Sequence, residues 1–421
     1  METIGIKGIG SELQGVGRLR DGRAAFVPFS IPGEVVEVEV ERDCGRYVEA
    51  RAVRIVEPSP ARVEPDCPTY GLCGGCQARH MAYPESLVLK RQRVEDALKR
   101  LGGFEAPDVR ATIGIEDPLR ARNKAEYAIA DGKIGAFRLD SREIVPLSDC
   151  LLQRPESAAA LKRLSGVNLE GLRFAVTRVN RAGELMLTLS GDGDRPPFSA
   201  FPGAKSLYYC KLKPRPQHAL DGECRHVAGA ERLEEVLLGF RFSLHPQSFF
   251  QVNVDQAERM YAIALDALEL RGDETVLDAY AGAGTITLAA AQRAKAAVGV
   301  EISKPAVDDA KESARRNGLS DRARFALGDA AVEIPKLAKG GARFDAAILD
   351  PPRRGADARV LDELVRLSPA RIAYISCDPG TLARDLKKLA EGGYALQWAQ
   401  PVDMFAYTGH VETVVLISRG V

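Results

Sequence analysis

From about residue 236 the chain settles into one rhythm: a short apolar run, a loop, then a helix-patterned stretch. Thr275 to Ala279 precedes a helix from about Thr285, and Ala297 to Ile302 precedes one from Lys304. Asp345 to Leu349 is a further run, and Arg371 to Ser376 leads to a helix from Thr381. This alternation predicts an α/β domain with a mostly parallel sheet covered by helices. Ligands of such sheets sit beyond the carboxyl ends of the strands, so the residues at those ends carry the chemistry.

With 421 residues, 45% of them hydrophobic and 28% charged, the chain has room for two or three domains. Over residues 1 to 60, Val36, Val38 and Val40 alternate with Glu37, Glu39 and Glu41, the pattern of a half-buried strand. Turns such as Asp21-Gly22-Arg23 and Ile31-Pro32-Gly33 punctuate short strands, which predicts a compact barrel of the OB type. A generic β-module and a nucleic-acid-binding one fit these residues equally. A helix is expected from about Glu85 to Leu101, then an irregular β-rich region to about 235, broken at Arg195-Pro196-Pro197 and at Lys213-Pro214-Arg215-Pro216.

Basic and acidic residues balance at 58 each, so net charge gives no support to a nucleic-acid partner and any such site must be local. The candidate runs are Lys90, Arg91 and Arg93; Arg120, Arg122 and Lys124; Lys211, Lys213 and Arg215; and Arg353 and Arg354. The opening METIGIKGIG lacks the pattern of a secretory signal, and no stretch nears the roughly 18 apolar residues of a membrane helix. A cytoplasmic protein without a membrane partner is expected, its eight cysteines reduced.

The first strand of the alternating region ends in Asp278-Ala279-Tyr280-Ala281-Gly282-Ala283-Gly284-Thr285, a glycine turn that lets backbone approach a ligand closely. The dinucleotide fingerprint would place a Gly or Ala at 287, where Thr287 stands, so the turn resembles the form found in methyltransferases. Glu301 ends the second strand, placed to accept hydrogen bonds from two ribose hydroxyls, and Asp329 follows the third, where a carboxylate suits an adenine amino group.

The fourth strand ends Leu349-Asp350-Pro351-Pro352-Arg353-Arg354. Amino-group methyltransferases carry an aromatic residue where Arg353 stands, which argues against methylation at nitrogen. The fifth ends Ser376-Cys377-Asp378-Pro379. Adding a Cys377 thiolate to carbon 6 of uracil would make carbon 5 nucleophilic enough to take a methyl group. Such an adduct needs a base to remove the carbon 5 proton, and Glu412 is an acid in the otherwise apolar run Val411 to Leu416. Upstream, Phe249 or Phe250 can stack on an extruded base or pack in the core, with Gln251 available to a base edge or a cofactor.

Cys67, Cys73 and Cys76 form a compact trio to which Cys150 can add a fourth thiolate, a donor set suited to an iron-sulfur cluster or to zinc. The trio lacks the spacing of radical enzymes, so its role is expected to be structural or RNA-linked. Cys44, Cys210 and Cys224 are expected to be unreactive thiols.

Together these segments resemble the RNA 5-methyluridine (uracil-C5) methyltransferase family, in the branch with an N-terminal TRAM domain and an iron-sulfur site. The resemblance rests on the four cysteines, Phe249 to Asn253, Asp350 to Arg353, Ser376 to Pro379 and His410 to Val414. It implies a class I Rossmann-like S-adenosylmethionine-dependent methyltransferase domain, an OB-like TRAM barrel over 1–60 and a central β-rich iron-sulfur domain over 61–84 and 103–235. The catalytic domain would be discontinuous, over 85–102 and 236–421, with the 85 to 101 helix packed against its sheet.

It further implies a 4Fe-4S cluster on Cys67, Cys73, Cys76 and Cys150, the nucleophile at Cys377 and the base at Glu412. Contacts to S-adenosylmethionine fall on Gln251, Tyr280, Gly282, Gly284, Thr285, Glu301, Asp329 and Asp350. RNA contacts fall on Phe249, Arg122, Lys124 and Arg353. Some members carry Cys at 281 and Asn at 285, where this chain has Ala281 and Thr285. A monomer acting on ribosomal RNA is expected, with transfer RNA as the alternative target. The rivals are a cytosine-5 methyltransferase, whose Pro-Cys turn this chain lacks at Arg353, and an inactive iron-sulfur RNA-binding protein.

Overall fold

A computed structural model describes residues 1–194, 196 and 198–419; of the expected proline-rich break, Arg195 and Pro197 lie outside the described residues. The carboxy-terminal half builds a seven-stranded sheet. Its strands are β1 (Thr275–Asp278), β2 (Ala296–Glu301), β3 (Ala323–Leu327), β4 (Ala346–Leu349), β5 (Arg371–Ser376), β6 (Tyr394–Val402) and β7 (Glu412–Arg419). They lie in the order β3-β2-β1-β4-β5-β7-β6. The first five run parallel, and β7 enters antiparallel between β5 and β6. Strands such as β4, buried along its whole length, carry apolar residues on both faces because helices cover both.

Those helices are α1 (Tyr83–Arg100), α2 (Val254–Ala267), α3 (Thr285–Arg293), α4 (Lys304–Arg316), α5 (Ala330–Lys339), α6 (Ala358–Leu367) and α7 (Pro379–Glu391). One apolar cluster joins α2, α3 and α4 to the sheet, and another joins α1, α5, α6 and α7 to its other side. Asn253, Asp329, Asp357 and Asp378 accept backbone N–H bonds at the starts of α2, α5, α6 and α7, which fixes where each strand-to-helix loop ends.

Helix α1 precedes this sheet in sequence by a long interval and still belongs to its packing, because it lies against α7 and β6 with Val94 and Leu98 fully buried in their shared apolar cluster. The chain after α1 then runs beside the edge strand β6. The Arg110 and Ile113 N–H groups donate to Ala399 and Pro401, and the Ala399 N–H donates back to Asp108. An edge that would otherwise offer unpaired backbone is thereby covered.

Ahead of this lie three other sheets, the smallest being the hairpin of Leu233–Leu237 and Phe240–Leu244. Residues 2–57 form six strands with a core that includes Ile4, Val27, Val36, Val38 and Val48, while Val40 is 45% exposed and so departs from the expected alternation. Residues 124–229 form a seven-stranded sheet backed by the helix Pro155–Leu164. Its register sets Cys210 opposite Cys224 on neighbouring strands, and the structure joins them as a disulfide, against the expectation of two unreactive thiols. Among the described residues no helix is long and apolar enough to cross a membrane.

Trp398, the single tryptophan, sits in β6 with the Arg110 guanidinium 4.2 Å from its ring centroid, so its emission reports on the junction with the α1 segment. Leu98→Ala is expected to cost about 3 kcal/mol in denaturation followed by that emission. A loss under about 0.5 kcal/mol would show that α1 is not an integral layer of the sheet's packing.

Candidate active site

A cleft of about 1090 Å³ opens at the carboxyl ends of β1 to β5. Its floor is the turn after β1, where Gly282 and Gly284 adopt φ of 53° and 82°. A side chain at Gly284 would meet the Phe325 ring at 2.9 Å, so both conformation and space call for glycine there. Thr287 donates its hydroxyl to the Asp278 carboxylate at 2.6 Å, which explains why a side chain stands where the dinucleotide fingerprint has none. Burial pushes Asp278 up to about 6, and its second oxygen is buried with no partner among the described residues.

Glu301 accepts the Gly282 N–H at 3.0 Å and the Ser303 N–H at 2.7 Å, so its carboxylate is fixed at the rim of the cleft. Asp329 lines the cleft too, although one of its oxygens is engaged as the cap of α5 at 2.9 Å. Tyr280, Thr285 and Asp350 complete this wall. Burial, with Asp278 nearby, pushes Asp350 up to about 7.

The reacting wall follows from register. Strands β5 and β7 pair Ser376 with Thr413, so the next residues outward, Cys377 and Glu412, face each other across the seam. Glu412 is 6% exposed, and burial, with Asp350 adding to it, pushes it up to about 8 while Arg353 pulls it down. Burial and then the Glu412 charge push the Cys377 thiol up to about 11, again opposed by Arg353. Arg353, His410 and Phe405 line the cleft beside them.

Opposite stands the loop before α2. Both Phe249 and Phe250 border the cleft, but Phe249 is 76% exposed whereas Phe250 is buried with its ring 5.7 Å from that of Phe242. Gln251 donates to the Tyr261 hydroxyl at 3.2 Å, and both line the cleft. Asn123, 2% exposed, holds this loop by donating its backbone N–H to Val252 and its side-chain amide to Gln251. Tyr261, Phe405 and Asn123 were not singled out from the sequence: an apolar helix position, a lone aromatic and a loop amide carry no distinguishing pattern there.

Arg122 and Lys124 are not among the residues lining the cleft. Lys124 pairs with Glu126 at 2.8 Å on the surface. Arg122 lies one layer behind, its guanidinium 5.7 Å from the Phe405 ring centroid and near Cys76, Cys150 and Asp403. Other basic runs are likewise engaged within the protein: Lys90 in a buried pair with Asp403, Arg91 with the Val109 carbonyl, Arg93 with the Gly409 carbonyl, and Lys211 and Lys213 with Asp194 and Asp221. Arg353 and Arg354 do line the cleft.

The four cysteines of the expected metal site are neighbours, since Cys150 acts on both Cys73 and Cys76 and Cys67 on Cys73. Burial pushes Cys76 up to about 12, with the Arg122 and Arg79 guanidinium groups pulling it down. Among the described residues no three His, Cys, Asp or Glu side chains are set as a metal-holding group.

Residues 230–420 match the family model for tRNA (uracil-5-)-methyltransferase, and residues 2–53 match that for the TRAM domain. An uncharacterised RNA methyltransferase of Halalkalibacterium halodurans is 36% identical over 425 residues, 94% of this chain and 92% of its own. Another, of Caldanaerobacter subterraneus, is 38% identical over 445 residues, 99% of this chain and 97% of its own. The crystal structure of a Pyrococcus abyssi tRNA (uracil-54, C5)-methyltransferase in complex with S-adenosyl-L-homocysteine superposes with a TM-score of 0.78 at 27% identity, covering 99% of this chain and all of the other. The chain belongs to the RNA uracil-5-methyltransferase family, with a TRAM domain at its amino-terminal end.

Proposed function

We propose that the protein methylates carbon 5 of a uridine in RNA, with S-adenosylmethionine as cofactor, Cys377 as nucleophile and Glu412 as base. The observation that carries the reading is the β5–β7 register, which sets a thiol beside a buried carboxylate in one cleft. Gln251, Tyr280, Gly282, Gly284, Thr285, Glu301, Asp329 and Asp350 would hold the cofactor, which supplies an electrophilic methyl group when bound. The fixed Glu301 carboxylate and the side-chain-free turn at Gly284 fit an adenosyl ligand.

The Cys377 thiolate adds to carbon 6 of the uracil, and the electron pair released to carbon 5 takes up the methyl group. Glu412 then accepts the carbon 5 proton, the double bond re-forms, and Cys377 leaves as thiolate. Phe249, exposed at the mouth, offers a face for an extruded base, and Arg353 opposes the charge that builds between Cys377 and Glu412.

Cys67, Cys73, Cys76 and Cys150 would hold a 4Fe-4S cluster; the all-thiol donor set and the cations at Arg79 and Arg122 support this. Ribosomal RNA is the first target we assign. Transfer RNA is the second reading, favoured by the Pyrococcus abyssi neighbour, whose match spans the TRAM region as well.

Cys377→Ala is expected to lower methyl transfer more than about a thousandfold with cofactor affinity kept, and a variant that still turns over refutes the nucleophile. Glu412→Gln is expected to leave protein covalently on RNA through denaturing electrophoresis; if no adduct survives, the proton goes elsewhere. Because Glu412 is held protonated below about pH 8, product release from the adduct should speed up as pH rises through that value. A flat profile between about pH 7 and 9, on the order of one unit either side, contradicts the assignment. Anaerobically purified protein is expected to carry about four irons per chain, and zinc in their place would refute the cluster.

A further inference from the structure

Strand β7 is entered through residues 403–411, a segment that brings Phe405 and His410 to the cleft and ends at Glu412. Its first residue, Asp403, is fully buried, as is the Lys90 ammonium that faces it from α1 at 2.5 Å. The same ammonium donates to the Phe405 carbonyl at 3.0 Å, and the Phe405 N–H donates to the carboxylate at 3.1 Å. Tyr83, also on α1, donates its hydroxyl to the second carboxylate oxygen at 2.6 Å, and Arg93 donates to the Gly409 carbonyl. Farther along, the Tyr407 carbonyl accepts from the Gln77 and Ala78 N–H groups at 2.8 and 3.0 Å, while Tyr407 itself holds a φ of 60°. A non-glycine residue stays in that region only where its surroundings over-determine it.

A buried ion pair adds little net stability over an apolar pair of the same volume, so stability alone does not account for this arrangement. What the ammonium and carboxylate do, and an apolar pair could not, is hold the N–H and the carbonyl of Phe405, which belong to two successive peptide groups. We infer that Lys90, Asp403 and Tyr83 are positioning residues for the reaction. They set the 403–411 segment so that Phe405, His410 and Glu412 meet the bound base in one geometry. This rests on the uridine-methylating reading of the cleft, and it gives α1 a task in catalysis although none of its side chains lines the cleft.

The test compares the full-length parent with Tyr83→Phe and with the double variant Lys90→Met/Asp403→Val, which removes both charges together. Amide exchange of residues 404–411 is expected to quicken about tenfold in the double variant, and single-turnover kcat to fall about thirtyfold, with S-adenosylmethionine affinity within about twofold of the parent. Tyr83→Phe, which loses the hydroxyl's bonds to the Asp403 carboxylate and from the Ile115 N–H, is expected to lose about fivefold in kcat. Exchange or kcat within about twofold of the parent in a folded double variant overturns the inference. Should the double variant not fold, the same readouts on Tyr83→Phe decide. A parent that transfers no methyl group refutes the uridine reading instead, and the exchange arm still decides whether the pair orders the segment.

Discussion

The active site depends on one topological constraint, the insertion of an antiparallel strand between the last parallel strand and the sheet edge. In a wholly parallel sheet, neighbouring strands present their carboxyl ends to the ligand together. Because β7 runs the other way, its first residue, Glu412, lies at the carboxyl end of β5, where Cys377 follows one residue beyond the strand. Groups anchored at strand ends keep their separation better than groups on loops, which is what the proposed proton removal after carbon–sulfur addition would require. The same insertion makes β6 the sheet edge, and the chain after α1 covers it.

Charge follows from that geometry. Burial holds Asp278, Asp350 and Glu412 all above the ordinary carboxylate range, with Asp278 adding to the shift of Asp350 and Asp350 to that of Glu412. Cys377 is pushed the same way, and Arg353 opposes the shift in both reacting groups. Such a cluster is costly to build without a partner for its charges. The cationic sulfonium of S-adenosylmethionine would be such a partner under the proposed reading.

Much of this was legible in the sequence, for identifiable reasons. The strand-loop-helix rhythm gives the α/β class, and the acids at strand ends stand out because they interrupt apolar runs; Glu412 does so most clearly. What sequence spacing could not carry was register and partner. Lys90 lies in a basic run that suggests a phosphate contact, yet its partner Asp403 lies far along the chain and both are buried. Phe249 and Phe250 are adjacent and of one type, and only the turn of the loop leaves one exposed at the cleft and buries the other against Phe242. In Arg122-Asn123-Lys124 the two charges drew attention, while the neutral Asn123 holds the cleft loop. Cys210 and Cys224 pair because their strands happen to be neighbours in a register that no local pattern announces.

The most direct test of the central claim is chemical identification of the product. Unmodified ribosomal and transfer RNA are incubated with the anaerobically purified protein and S-adenosylmethionine labelled in its methyl group, and the RNA is then digested to nucleosides. The account predicts label in 5-methyluridine, at one position of one RNA. Label in 5-methylcytidine, or none from protein that binds the cofactor, would contradict it.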